Sequence, residues 1–147
     1  MIDNNLMKNS EINLRGIEKM DYRFLYNLLK QRKISVNISH KKMPSFEKHV
    51  KFIMSNPYDK WKIVLLNKKK IGSVYLTKNN EIGITIIETM KRSGIENIIF
   101  KKIFEENNEK RYLVNISPKN KRLQEIVKKN NFKLIQNTYE LDLRDEK

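Results

Sequence analysis

The stretch TIIETMKRSGIENIIF (residues 85–100) sets a β-branched run, a short basic segment and an apolar helical pattern side by side. Thr85 to Ile87 suit a strand, and beyond Gly94 the residues Ile95, Ile98, Ile99, Ile103 and Phe104 recur at helical spacing. Gly94 stands between them, one of four glycines in the chain, behind Lys91, Arg92 and Ser93. A helix that starts directly after a strand exposes unpaired N–H groups and a partial positive charge, which together attract anions. Gly94 either permits a tight turn or lets the backbone approach such an anion. Spacing alone leaves both readings open.

Working outward, EIGITII (81–87) follows the turn Lys78-Asn79-Asn80. WKIVLLN (61–67) and KIGSVYLT (70–77) read as a hairpin before it, so these segments predict an antiparallel meander. Upstream, INLR (12–15) reads as a first strand. MDYRFLYNLLKQR (20–32) places Phe24, Leu25, Leu28 and Leu29 on one helical face, with Asp21 as its cap. KISVNISHKKMP (33–44) reads as a loop, and Pro44-Ser45 opens a second helix with Phe46, Val50 and Ile53 inward. NPYD (56–59) is a turn. Downstream, RYLVNI (111–116) is a strand and NKRLQEIVKKNN (120–131) a helix with Leu123, Ile126 and Val127 inward. FKLIQNTYELDL (132–143) is extended. The predicted order is β-α-α-β-β-β-α-β-α-β-β: an α+β fold with a mixed, mostly antiparallel sheet of about six to seven strands and about four helices.

At 147 residues the chain fits a single domain over 1–147, with 1–10 and 144–147 read as loose polar ends. Its apolar runs, such as IVLL (63–66), are too short to span a membrane, and the start lacks the pattern of a signal peptide. Cysteine is absent, which excludes disulfides, thiol nucleophiles and Cys-ligated zinc. Only two histidines occur, so no metal site is expected, and the expected location is cytoplasmic. A net charge of +14 favours polyanionic or phosphorylated partners. The Lys-, Asn- and Ile-rich composition is equally what an AT-rich genome yields. No helix-turn-helix spacing, zinc signature or RNP-like aromatic strand is present, so nucleic acid is not an expected partner.

The element order resembles that of the GNAT (Gcn5-related N-acetyltransferase) superfamily over nearly the whole chain, from INLR to NTYEL. The family motif Arg/Gln-x-x-Gly-x-Gly/Ala falls on KRSGIE: Lys91 takes the first position, Gly94 matches, and Glu96 replaces the small residue. A second pattern, an Asn followed by a short helix ending in Gly-Phe, falls on SPKNKRLQEIVKKNNF. Asn120 and Phe132 match, and Asn131 takes the glycine position, where its tolerance of the left-handed conformation makes it a mild replacement.

The resemblance implies acetyl-CoA as cofactor, its pantetheine arm lying between splayed fourth and fifth strands. Thr85 and Ile86 would then pair with that arm through their backbone. The amides of Arg92, Ser93, Gly94, Ile95 and Glu96 would hold the pyrophosphate, with Lys91 adding charge, and Asn120 would hydrogen-bond the cofactor. Glu96 would have to point outward to avoid repelling phosphate. Val127 stands where many members carry a tyrosine acid.

The implied function is transfer of an acetyl group from acetyl-CoA to a primary amine of a small molecule, of amino sugar or amino acid type. Alternatives are acetylation of a protein N-terminus or lysine, and a CoA-binding module without catalysis. Glu81 is the candidate base, ahead of Glu88, and the backbone amide near Ile86 a candidate donor to the carbonyl. His40, Trp61 and Tyr75 are the candidate acceptor-binding residues, while His49 reads as packing or solvent-facing. A monomer or homodimer is expected.

Overall fold

The computed structural model describes residues 11–32 and 42–145. Strand β1 (Ile12–Gly16) is followed by α1 (Tyr22–Gln31) and α2 (Phe46–Met54). Then come β2 (Lys60–Leu66), β3 (Lys69–Leu76), β4 (Ile82–Ile86), α3 (Ile95–Asn107) and α4 (Lys121–Lys129). The sheet is antiparallel in the order β1-β2-β3-β4.

Local chemistry explains the turns. Asn67 and Lys68, between β2 and β3, have φ of 49° and 70°, the left-handed pair of a type I′ hairpin whose twist matches its strands. Asn80 (φ 63°) closes the next turn, its amide donating to the Thr77 carbonyl at 3.0 Å. Ser45 caps α2, its hydroxyl accepting from the Lys48 amide at 3.2 Å.

Strand alternation gives the sheet two apolar faces. Trp61 and Ile63 pack with Leu25 and Leu28 of α1 and Ile53 of α2. On the other face Val64, Val74, Leu76, Ile82 and Ile86 pack with Ile95, Ile99, Phe100 and Ile103 of α3 and Val127 of α4. A helix pair thus covers each face, a layered α+β architecture.

Three expectations are corrected. Residues 111–116 form no full strand: one parallel bridge joins Glu81 to Leu113, with Ile82 donating to the Leu113 carbonyl at 2.7 Å and Leu113 to that of Asn80 at 2.9 Å. Residues 132–143 pair with nothing among the described residues, so the described sheet has four strands rather than six or seven. Strand propensity needs an edge to pair with, and neither segment meets one here beyond the single bridge. Finally, Asp21 precedes α1 but does not cap it; its carboxylate instead caps the short 3-10 turn 19–21 through the Glu18 amide. It is fully buried and accepts from both terminal nitrogens of Arg15 (2.9 and 3.1 Å), from Lys70 (2.6 Å) and from the Glu18 amide (2.7 Å). Burial alone would raise its pKa, but these donors outweigh burial and hold it well below the usual carboxylate range.

Candidate functional site

The bridge at Glu81 is the closed end of a fork. Successive residues of a strand turn their amides to opposite sides. Ile82 points to Leu113, whereas Ile87 donates back to Ile71 of β3 at 2.8 Å. Ile84 and Ile86 therefore turn their N–H and C=O groups away from β3, into the space beyond the bridge, where no described residue pairs with them. Thr85 instead stands opposite Ser73 and faces β3. Of the two expected positions, Ile86 faces the fork and Thr85 does not, and Ile84 faces it as well.

The fork leads to the 91–96 turn. Lys91 is ion-paired with Glu88 at 2.8 Å, and its amide donates to the Glu88 carbonyl. Arg92 (φ 69°) and Gly94 (φ 81°) are both left-handed, and Ser93 donates its hydroxyl to the Met90 carbonyl. Gly94 is the residue before α3. The amides of Arg92, Ser93, Gly94, Ile95 and Glu96 donate to no described acceptor, and the last two are at the unpaired start of the helix. A Cβ on Gly94 would meet only Asn97, at 3.9 Å, so space is open above the turn and φ alone demands glycine.

Glu96 does not point outward. It is 2% exposed, and its Oε2 accepts from Arg122 of α4. The carboxylate is thereby neutralised inside the protein rather than presented above the turn. Its other oxygen, Oε1, is buried with no partner in the described structure.

Asn120 caps α4, its Oδ1 accepting from the Leu123 amide at 3.2 Å, which leaves its Nδ2 group to donate elsewhere. Asn131 (φ 68°) is left-handed, and the Phe132 amide returns to the Val127 carbonyl at 3.0 Å. Val127 lies in the core, so that position holds no acid.

At the closed end, Glu81 accepts from the Thr77 hydroxyl at 3.2 Å and the Asn115 side-chain amide at 2.6 Å. The Glu81 charge is felt at the Tyr75 hydroxyl on the neighbouring strand. A Cβ on Gly83 would sit 2.1 Å from the Tyr75 ring, so only glycine lets this ring lie across β4. Tyr75 stacks on Tyr58 with ring centres 3.7 Å apart, and Trp61 meets Tyr58 edge-on at 4.8 Å. Trp61 and Tyr75 are direct cross-strand partners. Burial pushes both tyrosine hydroxyls up, the Tyr58 group beyond the ordinary phenol range, with Arg32 drawing each partly back.

The fold thus brings Glu81, Trp61 and Tyr75 together at one end of the fork, and residues 92–96 at the other. His40 lies outside the described residues. Glu88 stands beyond β4, exposed, its carboxylate on Lys91. His49 is buried on α2 between Tyr26 and Phe52. Sequence reasoning missed Tyr58, Thr77, Asn115 and Arg122. Tyr58 sits in a turn with no periodicity, and the others act through contacts between elements that sequence spacing does not show. No described group of three or more His, Cys, Asp or Glu could hold a metal ion, and no described helix is long and apolar enough to cross a membrane.

No protein-family model matches the chain, and no curated protein sequence matches it. Solved structures do. A domain from Methanocaldococcus jannaschii DSM 2661 is similar with a TM-score of 0.74 at 23% identity, over 88% of this chain and 92% of that one. Spermidine N-acetyltransferase SpeG from Vibrio cholerae, in complex with CoA and spermine, has a TM-score of 0.70 at 21% identity, covering 82% of this chain and 79% of its own. RimL, a ribosomal L7/L12 alpha-N-protein acetyltransferase in complex with coenzyme A, has 0.69 at 16%, over 86% and 82%. Each of these likenesses spans four fifths or more of this chain. The chain therefore has the fold of the GNAT (Gcn5-related N-acetyltransferase) superfamily.

Proposed function

We propose that the protein transfers an acetyl group from acetyl-CoA to the primary amine of a small molecule of amino acid or amino sugar type. The observation that carries this reading is the pair of unpartnered backbone sets beyond β4, one at Ile84 and Ile86 and the other at the amides of residues 92–96. An amide-bearing, extended arm can pair with the first part, and a diphosphate can accept from the second. The family relation of SpeG and RimL, both seen with CoA, supports the same ligand.

Bound there, acetyl-CoA would supply a thioester carbonyl as electrophile. The chain's own groups then have definite tasks. The Ile84 or Ile86 amide donates to the carbonyl oxygen. Glu81 takes a proton from the incoming ammonium, held in place by Thr77 and Asn115. Trp61, Tyr58 and Tyr75 form an aromatic wall that suits a cation beside a carboxylate. Arg32 supplies the positive field felt at both tyrosine hydroxyls, a counter-charge for an acceptor carboxylate. A thiol, ordinarily near pKa 8.5, is a stronger acid than these raised phenols. Tyr58 and Tyr75 would therefore position groups rather than serve as acids to a CoA thiolate.

The test has two stages. Acetyl-CoA at roughly a hundred times its Kd should stabilise the fold by about 2.7 kcal/mol. Thiol release should then follow with amino acids or amino sugars, and Glu81→Gln should keep the thermal shift while turnover falls. No shift at millimolar acetyl-CoA rejects the reading. A shift without release for any amine, peptides included, assigns a binding module instead.

A further inference from the structure

Two unlike charges bracket one hydroxyl at the closed end of the fork. Ile82 and Ile86 of β4 lie in the core with α3, so Glu81, Gly83 and Thr85 face the side of α1 and α2. Tyr75 pairs with Gly83 across the strands and lays its ring over it, and Tyr58 stacks on that ring with planes 4° apart. Phe52 and Trp61 meet Tyr58 edge-on, with ring centres 5.9 and 4.8 Å away. These rings make a fixed apolar floor. The Tyr75 hydroxyl feels Arg32 from one element and Glu81 from another. Arg32 follows directly on α1, whose end is held beside β4 by Gln31, its Oε1 accepting from the Glu88 amide at 3.2 Å. Neither charge is neutralised within the protein. Among the described residues no cation pairs with Glu81 and no carboxylate pairs with Arg32.

The surrounding charge decides what else the acceptor can carry. The elements α1, β2, β3 and β4 contain Arg23, Lys30, Lys60, Lys62, Lys69 and Lys70 but no Asp or Glu. Of the acids close by in sequence, Asp21 is taken by Arg15 and Lys70, Glu88 by Lys91, and Glu47 and Asp59 are exposed. A polyamine would bring a second cation into this basic frame with no buried carboxylate to meet it. An anionic group finds Arg32 instead, and a guanidinium matches a carboxylate with two parallel hydrogen bonds.

We propose that the acceptor is an amine that also carries a carboxylate, its ammonium at Glu81, its carboxylate on Arg32 and its apolar part against the Tyr58 and Tyr75 rings. Arg32 then sets specificity, and amino acids are taken in preference to amino sugars, peptide amides and polyamines. The reaction in this statement rests on the acetyltransferase reading, whereas the binding does not.

Trp61 is the single tryptophan of the chain, so its fluorescence reports on this pocket without CoA or turnover. Leucine, glutamine, phenylalanine and β-alanine should each be titrated beside their own amides, with glucosamine and spermidine. At least one acid should change the fluorescence saturably. Its amide, the sugar and the polyamine should bind about tenfold more weakly or worse, the loss of one charge-assisted hydrogen bond. In thiol release the same order should appear in KM, with kcat for acid and amide alike. Arg32→Ala should bring the acid down to the level of its amide, and Arg32→Lys should restore part of the difference. Neither variant should alter the acetyl-CoA thermal shift. No acid bound better than its amide, a preference for spermidine, or an Arg32→Ala variant that weakens acid and amide alike would each overturn the proposal. A fluorescence response to the acid without any acetyl-CoA shift rejects the acetyltransferase reading alone.

Discussion

Arg122→Ala isolates the contact that lets a carboxylate occupy the first turn of α3. Glu96 is 2% exposed, one of its oxygens has no partner in the described structure, and the other is held by Arg122. Removing one partner of a buried ion pair costs about 3–5 kcal/mol, because the charge left behind is uncompensated. The Arg122 side chain is 30% exposed, so water enters the vacated space and the cost falls below that range, to about 2–3 kcal/mol. Against a total stability of about 5–15 kcal/mol that is a large fraction. For a chain of this size it lowers Tm by about 5–10 °C. Adding Glu96→Ala removes the stranded charge and places the small residue of the GNAT motif, so the double variant should recover most of the loss. Urea unfolding of the two single variants and the double completes the cycle. A cost below about 0.5 kcal/mol for Arg122→Ala, or a double variant no more stable than that single, refutes the pairing.

Three other substitutions probe the frame of the site. Asp21→Asn should cost about 2–4 kcal/mol at neutral pH, since Arg15 and Lys70 lose their shared partner. The folded carboxyl titrates below its unfolded value, so the stabilisation is present above about pH 4 and fades on acidification. The gap between parent and variant should therefore narrow below that pH, and a gap that widens contradicts the assignment. Gly83→Ala puts a methyl 2.1 Å from the Tyr75 ring and should displace it from Tyr58, at about 1–3 kcal/mol, with a changed near-UV spectrum. An unaltered spectrum and stability would show that the ring does not lie there. Gly94→Ala imposes a left-handed alanine in open space, costing about 1–2 kcal/mol and weakening acetyl-CoA stabilisation. A neutral result on both readouts removes the left-handed turn.

The sequence was most legible where local chemistry dictates form. The two-residue Asn67-Lys68 turn, the Ser45 cap and the helical spacing of Ile95, Ile99 and Ile103 are each explained by residues within a few positions. The left-handed Asn131, standing in for a glycine, follows from the same reasoning. Legibility fails where the answer depends on which side of an element meets which neighbour. Thr85 and Ile86 are adjacent, and only the bridge at Glu81 decides that Ile84 and Ile86 face the fork. Phosphate repulsion requires only that Glu96 turn away from the anion, and its inward course depends on Arg122, 26 residues on in another helix. Residues 132–143 carry strand propensity, yet strand formation requires an edge that the segment does not meet among the described residues.

The central claim is that a CoA thioester lies along the fork with its diphosphate on the 92–96 amides. Titrating CoA into 15N-labelled protein and following the backbone amides tests this at residue resolution. The account predicts that Ile84, Ile86 and the amides from Arg92 to Glu96 move together and saturably. Millimolar CoA that leaves those amides unmoved, or shifts confined to the other end of the molecule, would contradict it.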